Sequence, residues 1–485
     1  MTQIYQHLTA TYGKHFRETL KLAWPVVIGL MGFNLMGLID SLMIGDLSYV
    51  HLSAAALANG MFIILTIIGM GLSFVLSPLV AEADASGQSQ RVGDMLRQGT
   101  LVMLVAGVIL SILVYFSSFT LEWLDQPEQD VVLAKTYLQI LSISTMPLLI
   151  FMVFKQFSDG LSLTRPAMYV TLLGLVINAG ANWVLIYGKF GFPRMELDGA
   201  GWGTLVSRIV MMIVLGIYVL SSKKFEAYQL KRGWTLVKPK IMRRIAQLGI
   251  PSGFQHFFEA AAFVGRTVII GWMADPSANR AAHQIVLQLA TVSFMVVLGI
   301  SAASTIRVGN ALGHKDPIAM RQAGVAGVML ATTFMSMSAL IFLFGKDFFP
   351  VFFNDNARVL AISAQLMLIA GLFQIFDGIQ VVGIGILRGI QDVKVPTAIT
   401  FLAYWVINLP LGYVLGITFD WGVRGIWFAF VVSLGVAAVL LSYRFWSLTE
   451  QMKIEGVRPR FIQADPKEIP QISHAKSLSE EVVRH

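Results

Sequence analysis

Three carboxylates stand inside long apolar runs. Asp40 lies near the end of AWPVVIGLMGFNLMGLIDSLMIG, Glu259 in the middle of GIPSGFQHFFEAAAFVGRTVIIG, and Asp377 within GLFQIFDGIQVVGIGILRG. A charge inside a membrane-spanning segment is costly, and by default it marks an ion or substrate pathway. Asn178 and Asn182, in LLGLVINAGANWVLIYG, are four residues apart, so both carboxamides occupy one helical face. Buried amides need partners. A carboxylate such as Asp40 is one, and a hard cation such as Na⁺, which prefers oxygen ligands, is another. Thr204, in the next apolar run, can add a hydroxyl. Gln255 and His256 lie four and three positions before Glu259. Glu259 is expected to be the most deeply buried of the three acids, and Arg266, two turns further on, could form a structural pair with it. Gln374 is one turn before Asp377. Glu259 and Asp377 together form a candidate acidic pair, which would share a proton or a cation.

Plainer roles compete with these. The asparagines could bond neighbouring helices, and His256 could be a packed histidine. Lys155 and Asp159 are expected to be solvated at the end of a span. His283 and Gln284 either line a cavity or cap a span. There is no paired His–Glu metal motif and no nucleophile constellation, so an enzyme is not expected.

The elements that must position these groups are membrane spans. The 485 residues are 56% hydrophobic and 13% charged, with mean hydropathy +0.69. Soluble domains carry about 25% charged residues. The net charge of +8 is therefore read as loop charge, not as affinity for nucleic acid. There are no cysteines, which excludes disulfides and thiolate metal sites. The N-terminal arm lacks a cleavable signal pattern, so the first span is expected to insert and stay.

Twelve apolar segments of bilayer-spanning length are centred in 22–45, 53–80, 97–119, 132–154, 167–188, 200–221, 248–272, 281–306, 323–345, 358–386, 396–418 and 423–446. Basic residues gather in the N-terminal arm and in alternate loops, most densely between Lys223 and Arg244. Loops of the other parity are acidic or mixed, with Glu122, Asp125, Glu128 and Asp130. That bias places both termini in the cytoplasm. Pro25 and Pro251, Gly45 and Gly271, Ala55 and Ala281, and Gly87 and Gly313 are each 226 residues apart, and VIN at 176–178 recurs at 406–408. The chain thus reads as an all-α membrane protein of twelve transmembrane helices in two six-helix lobes with pseudo-twofold symmetry. The lobes are 1–221 and 248–446, joined by a basic linker, 222–247. Residues 447–485 read as a polar, disordered cytoplasmic tail.

Taken together, AWPVVIG…IDSLMIG, SPLVAEADASGQ, DGLSLTRPAMYVTLLGLVINAGANWVLIYG, DGAGWG, GIPSGFQHFFE, AAHQI, VGNALG and LRGIQDVKVP resemble the multidrug and toxic compound extrusion (MATE) transporters, in their NorM-like bacterial branch, over residues 15–446. The resemblance implies a V-shaped cleft between the lobes and export of organic cations and drugs in exchange for Na⁺ or H⁺. It matches Asp40 to the acid of the first span, Asn178 and Asn182 to the asparagines of the fifth, Thr204 to the threonine of the sixth, and Glu259 and Asp377 to the acids of the second lobe. Na⁺ candidates are Asp40, Asn178, Glu259 and Asp377, and cleft candidates are Gln255, His256, Gln374 and Gln284. The implied setting is the bacterial inner membrane, with membrane lipids, drugs and organic cations as partners, no nucleic acid, no cofactor beyond the coupling ion, and a monomer. The alternative is a lipid-linked oligosaccharide flippase. That function favours a cleft lined with Arg and Lys, whereas only Arg208 and Arg266 are basic within the spans.

Overall fold

The computed structural model describes residues 2–123, 126–230, 234, 236–273 and 275–457, with side chains from residue 12 onward. Twelve long helices run back and forth: α1 (Thr2–Gly45), α2 (Tyr49–Ala85, broken after Ser73), α3 (Ser89–Thr120), α4 (Glu128–Gly160), α5 (Arg165–Tyr187), α6 (Glu196–Ser221), α7 (Pro239–Gly271), α8 (Pro276–Gly313), α9 (Pro317–Gly345), α10 (Ala357–Gly389), α11 (Lys394–Thr418) and α12 (Val423–Glu455). No strand occurs among the described residues. The shortest, α5, has 23 residues. At about 1.5 Å per residue that is still enough to cross the roughly 30 Å of a bilayer core. Eleven of the twelve are long and apolar enough to do so by length and composition. The exception, α7, has 33 residues, but Gln255, His256, Glu259 and Arg266 dilute its apolar run. Leu42, Phe116, Val176, Ile217 and Val439 are each at least 60% exposed, as side chains facing lipid tails would be.

Local chemistry explains the ends. Pro166, Pro239, Pro276 and Pro317 open helices in the first turn, where a missing N–H goes unnoticed. Asn356 and Asp316 accept from the first free amides of α10 and α9. Gly188 ends α5 in the left-handed region at φ 67°, a conformation glycine adopts without a Cβ penalty. In α11 the residues 402–408 and 414–418 are wound as π-helix, a form often found at functional sites.

The buried apolar residues separate by half of the chain. One cluster draws on α7 to α12 and takes in Ala23 of α1. Two draw on α1 to α6, and of these one also takes in Ile245, Leu248 and Val393. The halves touch near the end that carries the chain termini. A Cβ on Gly71 of α2 would sit 2.7 Å from the Cα of Gly253 in α7, and one on Gly299 of α8 would overlap Val27 of α1. Small residues permit such close backbone approach. Arg307 of α8 reaches back to Glu18 at 2.8 Å and Thr19 at 2.8 Å on α1.

Three expectations change. The stretch 222–247 is not linker throughout: Phe225 and Leu230 are buried, Lys238 pairs with Asp94 at 2.6 Å, and α7 already begins at Pro239. Tyr228 donates to Asp84 at 2.7 Å, and burial together with that bond raises its phenol pKa. The polar tail starts later than 447, because α12 continues to Glu455 and Glu450 pairs with Arg321 at 2.5 Å. Residues 458–485 lie outside the described residues, as do Asp125, Lys231 and Arg232. Lys155 and Asp159 are not solvated but buried, and they form an ion pair at 2.7 Å on α4. The end of α2 covers them: Ser77 and Val80 pack against Gly160.

Candidate ion and substrate site

In the first half, α1, α5 and α6 bring the expected residues together. Asn182 donates its amide to Asp40 Oδ1 at 2.5 Å, and Thr204 donates its hydroxyl to Asp40 Oδ2 at 3.4 Å. Asn178, one turn before Asn182, also lies in hydrogen-bonding reach of that carboxylate. Both asparagines are buried, and the Oδ1 atom of each has no donor. The site is therefore a partly buried carboxylate beside two unused amide oxygens, a donor set suited to a hard cation. Gly203 explains the fit, since a Cβ there would overlap Asn182 Oδ1. Arg208, one of the two basic residues within the spans, and Tyr137, singled out only by the structure, lie within electrostatic reach of Asp40. Arg208 donates to Ser144 Oγ at 2.5 Å and rests over the Phe62 ring at 4.9 Å.

In the second half, α7 and α10 carry the chemistry. Glu259 accepts from Gln380 at 3.3 Å and lies 3.3 Å from His256 Nδ1. The other ring nitrogen of His256 is 3.4 Å from Arg388, and Phe74, at the break in α2, meets the ring edge-on at 5.2 Å. Glu259 and Asp377 lie within electrostatic reach of each other. Their burial reverses the expectation. Asp377 is 4% exposed while the Glu259 side chain is 19% exposed. Gln255 and Gln374 are buried with unpartnered amide atoms. Gln284 is exposed, and neighbouring His283 is buried, accepting from Trp427 Nε1 at 3.1 Å. No Glu259–Arg266 pair forms.

The two halves are not copies chemically. Asn408 holds the place of Asn178 in the repeat, yet its amide goes to Ser433 at 3.0 Å and not to an acid. Gln380 and Arg388 were legible only as residues one and three turns beyond Asp377 on α10. What gives them a role is where α7 lies. Among the described residues no group of three or more His, Cys, Asp or Glu could hold a metal ion.

Twelve long helices in two related halves, each with buried acids and unpaired amide groups, define a polytopic membrane protein built around polar sites inside its spans. The MatE family model matches residues 25–184 and 251–414, one match per half, and the chain belongs to that family. It is 32% identical over 442 residues to the multidrug resistance protein NorM of Photobacterium profundum, covering 89% of this chain and 95% of that one. It is 31% identical over 441 residues to the multidrug resistance protein MdtK of Photorhabdus laumondii, covering 89% and 95%. Among solved structures, the eukaryotic MATE transporter AtDTX14 superposes with a TM-score of 0.83 at 20% identity, over 92% of this chain and all of that one. An outward-facing multidrug resistance MATE transporter gives a TM-score of 0.82 at 19% identity, over 90% and 97%. These two likenesses establish the fold.

Proposed function

We propose that the protein is a multidrug efflux antiporter of a bacterial inner membrane, exporting organic cations and drugs in exchange for Na⁺ or H⁺, with both termini in the cytoplasm. One observation carries this reading. Asp40 is held by Asn182 at 2.5 Å while the buried Oδ1 atoms of Asn178 and Asn182 face no donor, so an incoming cation would find a carboxylate and ready oxygen ligands. The multidrug resistance names of the relatives support the same reading.

In this mechanism the ion enters from outside and neutralises a carboxylate at Asp40, or at Glu259 and Asp377. Neutralisation removes the attraction for a cationic drug, which leaves outward. The ion then departs inward and the freed carboxylates take up the next drug. Ion and drug need not meet at one residue; each needs only to favour a different arrangement of the halves. The contacts at Gly71 with Gly253, Val27 with Gly299 and Glu18 with Arg307 lie toward the terminus-bearing end. With the termini cytoplasmic, this is the arrangement open to the outside.

The test is efflux of a fluorescent organic cation from everted vesicles under separate Na⁺ and H⁺ gradients, for the unaltered chain and for Asp40→Asn, Glu259→Gln and Asp377→Asn. Ion-driven efflux that falls in at least one variant is expected. Efflux indifferent to both gradients would refute antiport, and efflux unchanged in all three variants would refute the carboxylate mechanism.

A further inference from the structure

A cavity of about 520 Å³ lies at the terminus-bearing end, and none of the polar groups of the two sites described above lines it. It straddles the seam between the halves. Glu82 on α2 and Arg91 on α3 line it from the first half. Arg244 on α7, Lys315 in the turn after α8 and Lys394 at the start of α11 line it from the second. Leu248 and Leu312 add apolar wall.

The charges around this cavity do not cancel. Four cations line it against two carboxylates, Glu82 and Asp392. Glu82 is 5% exposed, and Arg91 grips it through contacts of 2.8 and 3.1 Å. Asp392 is taken by a further cation, Arg444, at 2.8 Å. Arg244 donates to Gln391 at 2.7 Å and lies within electrostatic reach of both Arg91 and Glu82. One carboxylate thus serves two guanidiniums that come from different halves. Lys315 Nζ and Lys394 Nζ have no hydrogen bond or ion pair among the described residues. The turn that carries Lys315 is also strained. Lys315 has φ 56°, in the left-handed region that favours glycine, and in the turn after α2 a glycine, Gly87, takes that conformation at φ 74°. After α8 the chain places a positive charge on the cavity where a glycine would be easier to hold.

We propose that this cavity is a phosphate site shared by the two halves, taking the headgroup of an acidic phospholipid or free phosphate. Guanidiniums grip phosphate through paired hydrogen bonds, and ammonium groups hold it as point charges. An anion between Arg91 and the second half's Arg244, Lys315 and Lys394 replaces repulsion among like charges with attraction. Basic pockets between spans on the cytoplasmic side suit anionic headgroups, and the leucine wall suits the first carbons beyond a headgroup. The proposal goes beyond the transport reading and rests on it only for the side of the membrane on which the cavity opens.

The test uses the delipidated full-length protein. Phosphatidylglycerol binding is followed by native mass spectrometry, with phosphatidylcholine, whose choline cancels the phosphate charge, as the control. Radioactive inorganic phosphate is titrated separately at equilibrium. Phosphatidylglycerol should bind at least about tenfold tighter than phosphatidylcholine, the worth of one charge-assisted hydrogen bond, or inorganic phosphate should bind saturably. Lipid preference alone assigns the headgroup, phosphate binding alone assigns the free anion, and both together assign a site open to either. Lys315→Gln with Lys394→Gln should abolish whichever binding is seen, and both side chains are exposed, so the variant should elute and melt as the unaltered chain does. Lys315→Arg with Lys394→Arg should keep the binding. So should Lys223→Gln with Lys224→Gln, which removes two exposed charges that do not line the cavity. Absence of both lipid preference and phosphate binding would overturn the proposal. So would binding that survives the loss of Lys315 and Lys394, or that falls equally with the loss of Lys223 and Lys224. Failure of antiport would appear elsewhere, as drug efflux indifferent to both gradients, and these binding measurements do not depend on it.

Discussion

Replacing Asn182 with alanine removes two things at once: the 2.5 Å amide donor to Asp40 and one of the two open amide oxygens beside it. A hydrogen bond to a charged group contributes about 1.5–3 kcal/mol. At about 1.4 kcal/mol per tenfold, that is a change of about ten- to a hundredfold in an equilibrium constant. The ion concentration giving half-maximal drug efflux should therefore shift by about that factor. For Na⁺ the shift is upward, because an oxygen ligand is lost. The measurement is initial efflux of a fluorescent cation from everted vesicles across an ion titration, with expression matched by immunoblot. Asp40→Asn and the double variant complete a thermodynamic cycle. If Asn182 acts through Asp40, the double variant should be no worse than Asp40→Asn alone. A half-saturating concentration within about threefold of the unaltered protein under both gradients, or fully additive losses in the cycle, would refute the site as described.

Gly203→Val should mimic that loss sterically, since the new side chain would occupy the space of Asn182 Oδ1. Overpacking of this kind costs about 1–3 kcal/mol, and efflux with the melting temperature of the purified protein would show it. Gly71→Val should disfavour contact between the halves at the terminus-bearing end, where even a Cβ comes 2.7 Å from Gly253 Cα. Labels placed on the two halves of this naturally cysteine-free chain should report a wider mean separation there, and an unchanged distribution would count against that contact. Lys155→Met should strand Asp159, which is 3% exposed, and cost about 3–5 kcal/mol. Lys155→Met with Asp159→Leu should recover most of it in thermal unfolding, and a single variant as stable as the parent would contradict the burial of the pair.

Sequence and structure divide the account of this protein along a physical line. The number of apolar segments, the repeat and the acids that stand inside those segments follow from the sequence, because a bilayer imposes a length and a polarity on each segment separately. Asp40, Asn178, Asn182, Glu259 and Asp377 were conspicuous for that reason, as charged or amide side chains within apolar runs. Asn178 and Asn182 could even be placed on one face by their spacing. Partnerships between helices are another matter, since helix periodicity says which residues share a face but not which face meets which. Only the packing of α1 against α5 and α6 joins Asp40 to Asn182 and Thr204. Only the approach of α7 to α10 gives Glu259 its contacts with Gln380 and, through His256, with Arg388. The seven-residue spacing that suggested a Glu259–Arg266 pair was true along the helix and irrelevant across it, because α11 and α12 surround the guanidinium with rings. In the same way Lys155 and Asp159 look like a solvated pair at the end of a span until the end of α2 covers them. The sequence by itself determined how many apolar segments the chain has and where its costly groups lie. The tertiary structure alone decided which of those groups neutralise one another, because that depends on distances of a few ångströms between helices that are far apart in the chain.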